Sequence, residues 1–297
     1  MTFATSRPGS STILGFVSAN LKKHLAQLSK RGPHRVLVGD LSYAGIEGKV
    51  YAPAEGNSVP AVAFGHDWLK PVKTYHATLR HLASWGIVVT APDTEKGFLP
   101  DHRGFSADLE TALQIAAGVK LGNGKVTVAP GKLGVVGHGM GAGAAILAAA
   151  NNPRIRAVGA LYPADTAPPA SIAARSVKAP GLVIAPGRAD IFGAGDPAKV
   201  AFNWGGEVAY REIKGGNQAG FTEDNLLKMA IGLGIPQISG QETARGLLTG
   251  FLLHRLGGER KYSDFSEALA TAKDVESFAG AELADKAGIK LTTSTKF

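Results

Sequence analysis

Leu133 to Ala150, with the sequence LGVVGHGMGAGAAILAAA, is the stretch that decides the fold. Its first four residues form a short apolar run that is typical of a buried strand. A glycine-rich turn follows from Gly137 to Gly143, and the remaining residues are small and apolar, as in a tightly packed helix. Strand, sharp turn and helix in direct succession indicate an α/β protein, and a turn of this kind is a place where such proteins carry their chemistry.

Two motifs share this context, and the turn fits each of them in part. The nucleophile elbow, G-x-S-x-G, has Gly139 in the position of its serine. The dinucleotide fingerprint, G-x-G-x-x-G/A, is matched at Gly137, Gly139 and Ala142. The local spacing alone leaves both interpretations open.

The surrounding sequence favours the elbow. A dinucleotide site usually opens its sheet and has an acidic residue about 20 residues further on, whereas this turn follows the third parallel strand and the nearest acidic candidate is Asp165. The segment Phe64 to Trp68 follows an earlier strand, as an oxyanion loop does. Pro186 to Asp190 follows a later strand where a catalytic acid belongs, and Gly215 to Phe221 follows the last strand where a histidine belongs.

Apolar runs and helix-length segments alternate along most of the chain, which predicts a mostly parallel central sheet with helices on both faces. Two runs ahead of this alternation, Val36 to Leu41 and Gly48 to Tyr51, predict an antiparallel hairpin that opens the sheet. The predicted organisation is an amphipathic basic helix within residues 1–33, an α/β-hydrolase domain over 34–258 and a C-terminal extension over 259–297.

Composition excludes several classes of protein. Of 297 residues, 44% are hydrophobic and 19% are charged, which excludes an intrinsically disordered chain. The chain has no cysteine, which excludes disulfide scaffolds, thiolate metal sites and cysteine nucleophiles. The net charge of +8 would permit an acidic partner, but the basic residues are scattered, so no nucleic-acid partner is expected.

The segment Ile13 to Leu28 has apolar residues at helical spacing and basic residues off that stripe. We expect this helix to dock on the domain, with peripheral membrane contact through residues 13–28 as the alternative. No run approaches the roughly 20 apolar residues of a membrane span. The expected location is therefore cytoplasmic, with membrane association if the helix binds lipid.

With these segments identified, the chain resembles α/β-hydrolases of the dienelactone-hydrolase, chlorophyllase and cutinase-like polyesterase branch. The resemblance covers about Val36 to Leu256, and it is closest to the cutinase-like esterases from Trp85 through Arg103. It implies ester hydrolysis by a Ser-His-Asp triad without a cofactor. Carried over position by position, the triad falls on Gly139, Asp190 and Gln218.

Two of the three catalytic groups are therefore missing. Gly139 has no hydroxyl to act as a nucleophile, and the amide of Gln218 cannot take up its proton near neutral pH. The backbone amides of an oxyanion hole, those of Trp68 and Met140, would survive and could dock a carbonyl or carboxylate. The carboxylate of Asp67 beside that hole would work against an anion.

The sequence thus predicts a catalytically degenerate hydrolase that binds an acyl, lipid or small carbonyl ligand or acts through a protein partner. One alternative is an active hydrolase in which His138, His66 or Asp67 activates water. A second is a dinucleotide-binding protein that uses the Gly137 turn. No metal site is expected, because the histidines lack a metal-ligand spacing such as H-E-x-x-H.

Overall fold

A computed structural model describes residues 19–187, 195–223 and 238–291. In these residues one sheet of nine strands forms the centre of the molecule, in the order β1-β2-β4-β3-β5-β6-β7-β8-β9. The strands are β1 (Val36–Asp40), β2 (Gly48–Pro53), β3 (Gly56–Gly65), β4 (Val88–Pro92), β5 (Val126–His138), β6 (Ile155–Leu161), β7 (Gly181–Pro186), β8 (Val208–Ile213) and β9 (Val275–Ser277).

Six neighbouring strands run parallel, in the order β4, β3, β5, β6, β7 and β8. Strand β2 is antiparallel to both of its neighbours, β1 and β4. The predicted α/β-hydrolase fold, a mostly parallel sheet opened by an antiparallel hairpin, is therefore confirmed. The register sets Gly65 at the end of β3 opposite Gly137 near the end of β5. As a result, the loop that follows β3 runs beside the glycine-rich turn.

Helices cover both faces of the sheet. They are α1 (Ala19–Leu28), α2 (His76–Ser84), α3 (His102–Gly118), α4 (Met140–Ala149), α5 (Ala170–Ala173), α6 (Pro197–Phe202), α7 (Ile238–Arg255) and α8 (Gly280–Lys286). One apolar core lies under α3, α4 and α6, and the other lies under α1, α2 and α7. Strand side chains alternate between the two, so Val88 enters the first core and Val89 the second.

The described part of the N-terminal helix is docked on the domain. Leu21, Leu25 and Leu28 are buried, and a β-carbon on Gly246 of α7 would meet the Leu25 side chain at 2.8 Å. Residues 13–18 of the predicted helix lie outside the described residues. Within the described ranges, no helix is both long enough and apolar enough to cross a membrane.

Residues 259–291, which belong to the predicted C-terminal extension, contribute the last strand of the sheet. Strand β9 pairs antiparallel with β8, and Tyr262 and Phe265 are buried in the core under α7. The fully buried guanidinium of Arg211 on β8 donates to the carbonyl oxygens of Glu267 and Ala268. The sequence pattern missed β9 because a strand of three residues is too short to show an alternation.

Candidate functional site

The glycine-rich turn has the backbone of a nucleophile elbow. Gly139 lies between β5 and α4 and has φ 54° and ψ −119°. This backbone conformation is strained, and therefore destabilising, for any residue other than glycine. A β-carbon on Gly137 would lie 2.1 Å from the Gly141 carbonyl oxygen, and one on Gly141 would lie 2.2 Å from the Gly65 backbone. The packing of strand against helix therefore accounts for Gly137 and Gly141 without a ligand.

Asp67 occupies the space that the sequence assigns to an oxyanion hole. Its Oδ1 accepts hydrogen bonds from the backbone amides of Trp68 at 2.8 Å and Met140 at 2.9 Å, the two donors assigned to the hole from the sequence. The Asp67 side chain is only 14% exposed. The chain therefore places its own carboxylate where an ester hydrolase would place the oxygen of its substrate.

Gln218 binds the second oxygen of the same carboxylate. Its Nε2 donates to Asp67 Oδ2 at 3.0 Å, from the loop that follows β8. Asp67 thus receives three donors, from Trp68, Met140 and Gln218. This one side chain therefore contacts the residues to which the resemblance assigns the nucleophile, the histidine and the oxyanion hole.

His138 is buried, and both of its ring nitrogens are engaged. Nε2 lies 3.1 Å from the carbonyl oxygen of Gln218, which can only accept, so Nε2 carries a proton. Nδ1 lies 2.9 Å from the Tyr75 hydroxyl, and that hydroxyl accepts from the Asp67 amide at 3.0 Å. Nδ1 lies 3.9 Å from Asp67 Oδ2, beyond hydrogen-bonding distance.

His66 is also buried between two carbonyl oxygens. Its Nδ1 lies 2.9 Å from the oxygen of Asp67 and its Nε2 lies 2.7 Å from the oxygen of Thr94. Its ring packs at 4.7 Å from the ring of Phe105. His66 thereby ties the loop after β3 to the loop after β4 and helps to fix the position of Asp67.

Trp68 lies at the surface beside this closed site. Its indole is 47% exposed, and its Nε1 donates to the carbonyl oxygen of Phe98 at 3.3 Å. The two rings meet edge to face at 6.2 Å. The side chain of Trp68 is therefore available for contact with a ligand or partner, although its backbone amide is held by Asp67.

Glu223 fixes the end of the loop that carries Gln218. Its carboxylate accepts from the amides of Ala77 and Thr78 at the start of α2 and forms an ion pair with Arg245 at 3.1 Å. Burial lowers the pKa of the Arg245 guanidinium, and Glu223 opposes that shift. This arrangement anchors the Gln218 loop to two helices.

The structure brings all seven described site candidates together around the elbow. Asp67 forms hydrogen bonds with His66, Trp68, Met140 and Gln218, His138 contacts the Gln218 carbonyl oxygen, and Gly139 lies between His138 and Met140. The proposed acid, Asp190, lies outside the described residues. Tyr75, Thr94 and Glu223 also take part in the site. Their roles could not be predicted, because each acts through a contact with residues that are distant along the chain.

The geometry bears on the two alternatives. At the start of α4, the amide of Met140 that a pyrophosphate would use is bound to the Asp67 carboxylate, so a second anion would meet a negative charge. The nitrogens of His66 and His138 that would activate water are engaged by protein groups. Across the described ranges, no group of three or more His, Asp or Glu side chains is placed to hold a metal ion.

Comparison with protein families gives one match for the region that contains this site. A family described as PET hydrolase-like matches residues 25–229, which is well over half of the chain. The matched region includes Asp67, Gly139 and Gln218. A search of curated proteins found no match.

Proposed function

The chain belongs to the PET hydrolase-like family, and we propose that it is a member that does not hydrolyse esters and acts by binding. The observation that carries this proposal is the Asp67 carboxylate, which is hydrogen-bonded to both amides of the oxyanion hole. A hole that already holds a carboxylate offers no free donor to the carbonyl oxygen of a substrate.

The chain lacks the chemical group that each step of acyl transfer requires. Gly139 provides no hydroxyl for attack on the ester, and Gln218 provides no base to take up a proton. Oxyanion stabilisation depends on donors aimed at the oxygen that becomes negative, whereas Asp67 would bring a negative charge to the same point. The losses affect nucleophile, base and electrostatic stabilisation together.

The three departures from the family pattern also fit one another. Asp67 can enter the hole because Gly139 has no side chain in the space that the carboxylate occupies. The amide of Gln218 donates to that carboxylate, which completes its hydrogen bonding in a site that is largely shielded from water. This mutual fit supports a closed site as the functional form of the protein.

The binding role rests on a separate feature, the apolar surface of Trp68, Leu69, Phe98 and Leu99 beside the closed site. These side chains are 47%, 38%, 78% and 96% exposed. Exposed apolar groups that cluster in this way mark sites of ligand or partner contact. With the hole filled, an acyl ligand would be held here by apolar contact and not by its carbonyl oxygen.

The test of inactivity compares the wild type with variants at positions 67, 139 and 218 on a short-chain nitrophenyl ester. We expect no enzymatic rate from the wild type, which lacks the nucleophile and the base. Gly139→Ser with Gln218→His should also show no rate, because the serine displaces the Asp67 carboxylate without removing it and its negative charge beside the hole still opposes an oxyanion. Adding Asp67→Gly should produce a rate and labelling of position 139 by a fluorophosphonate. A wild-type rate that survives purification and is lost in Asp67→Asn would contradict the proposal.

The test of binding follows tryptophan fluorescence during titration with palmitate. We expect a saturable change that is lost in Trp68→Phe and kept in Trp85→Phe, because Trp85 lies away from the apolar surface and donates to the Lys30 carbonyl. If the fluorescence does not change at any palmitate concentration, the surface does not bind an acyl chain, and a protein partner becomes the candidate ligand.

A further inference from the structure

A cleft of about 730 Å³ lies at the end of the sheet opposite to Gly139, where β6 and β7 begin. It is formed by the C-terminal end of α4 and by the segments that lead into β6 and β7, since Ala149, Ile155 and Pro180 are among its lining residues. Because β6 and β7 are parallel to β5, their first residues lie at the end of the sheet remote from the elbow. The cleft is therefore separate from the closed site.

The lining of this cleft carries positive charge without a carboxylate. Arg156, Lys178 and Arg255 line it, and no Asp or Glu does. Among the residues that the structure describes, neither Arg156 nor Lys178 has an ion-pair partner, and both are exposed. Arg255 pairs at 2.6 Å with Glu207, whose side chain is 72% exposed and lies outside the lining.

Arg156 and Lys178 bring two positive charges without an ion-pair partner to one concave space, while Glu207 offsets the charge of Arg255. An anion in that space would be attracted by the two uncompensated charges. Guanidinium groups match the oxygens of phosphate with paired hydrogen bonds, and a lysine adds a point charge. Asn151 and Ser176 also line the cleft, and their side chains can donate to further oxygens, whereas the Asn152 amide donates to Glu110.

We propose that this cleft binds a small organic phosphate. The cations would hold the phosphate groups, and the apolar lining residues Pro153, Ile155 and Pro180 would contact the organic part. A volume of about 730 Å³ falls within the ~300–1,000 Å³ range of small-molecule sites. The site differs in position and chemistry from the apolar surface at Trp68.

The test is calorimetric titration of the full chain with ATP and with inorganic pyrophosphate at low ionic strength. We expect saturable 1:1 binding that weakens as salt is added. Arg156→Ala and Lys178→Ala should each weaken it about tenfold, the effect of losing one hydrogen bond to a charged group. Both side chains are exposed, so these variants should keep the wild-type Tm.

The matched control is Arg154→Ala. Arg154 is exposed, lies two positions from Arg156 and pairs with Glu110 at 3.7 Å, and it does not line the cleft. It removes the same net charge and should leave the affinity unchanged. Equal weakening in Arg154→Ala would overturn the proposal, as would the absence of binding to both probes. The proposal would also be overturned if short duplex DNA displaced bound ATP at a concentration below that of the ATP. That result would indicate a surface that binds nucleic acid.

Discussion

The carboxylate of Asp67 stands where a side chain on Gly139 would begin. A β-carbon built on Gly139 would lie 2.0 Å from Asp67 Oδ1 and 2.2 Å from its carboxyl carbon, closer than non-bonded atoms approach. A serine at position 139 and the present placement of Asp67 therefore exclude each other. The loss of the nucleophile and the filling of the oxyanion hole are two aspects of one arrangement.

This exclusion predicts a strong coupling between the two positions. Gly139→Ser alone should lower the free energy of unfolding by more than the roughly 1–3 kcal/mol of backbone strain at φ 54°, because Asp67 must also be displaced. In an Asp67→Gly background the same substitution should cost less. Urea unfolding of the four proteins of this cycle measures the coupling.

The control is Gly97→Ser, which should lower the free energy of unfolding only slightly, because a β-carbon at Gly97 meets nothing within 4 Å. Equal costs of Gly139→Ser in both backgrounds would show that Asp67 does not fill the space.

Tyr75→Phe should destabilise the site by about 1–3 kcal/mol. The substitution removes the hydroxyl that accepts from the Asp67 amide and is hydrogen-bonded to His138 Nδ1, so two groups at the closed site each lose one hydrogen bond. The midpoint of urea unfolding measures the loss. Tyr43→Phe, at a side chain that is 94% exposed, should match the wild type. A neutral Tyr75→Phe would mean that water replaces the hydroxyl.

Arg211→Ala should destabilise the protein by about 2–4 kcal/mol and loosen the C-terminal segment first. It leaves the carbonyl oxygens of Glu267 and Ala268 without their donor and opens a cavity beside β9. Limited proteolysis should therefore cut the segment after Arg260 earlier than in the wild type. Arg103→Ala, at an exposed position, serves as the control. Unchanged cleavage in Arg211→Ala would contradict the anchoring role of Arg211.

His81 should make the protein less stable in mild acid. Burial, with the positive charge of Arg245 nearby, lowers the pKa of His81 from 6.5 to about 4. Between these values the unfolded chain binds a proton that the folded chain does not, so stability falls as pH falls through that window. The loss between pH 7 and pH 5 should be about 2 kcal/mol.

His81→Gln should abolish that part of the pH dependence, as measured by urea unfolding at both pH values. The exposed His34 provides the control, because His34→Gln should keep the wild-type difference between pH 7 and pH 5. An unchanged pH dependence in His81→Gln would assign the acid sensitivity to other groups.

Much of the fold could be predicted because its signals are local. The apolar run before Gly137 and the small-residue helix after it each show their structure within a few residues, and the alternation of such segments dictates a parallel sheet. Strand β9 escaped prediction because three residues carry no pattern, and its pairing is set by β8 and by the buried Arg211. The pairing of this segment with the sheet therefore could not be predicted from the sequence.

The sequence by itself determined which chemical groups the site has, because the absence of a hydroxyl at Gly139 and of a base at Gln218 is a property of the residues. Only the tertiary structure decided what fills their place. Asp67 lies 73 residues from Met140 and 151 from Gln218 along the chain. It contacts both because β3, β5 and β8 are parallel, so that their carboxyl-terminal ends lie at the same end of the sheet. No local pattern encodes the direction of that carboxylate, since it depends on donors from three separate loops.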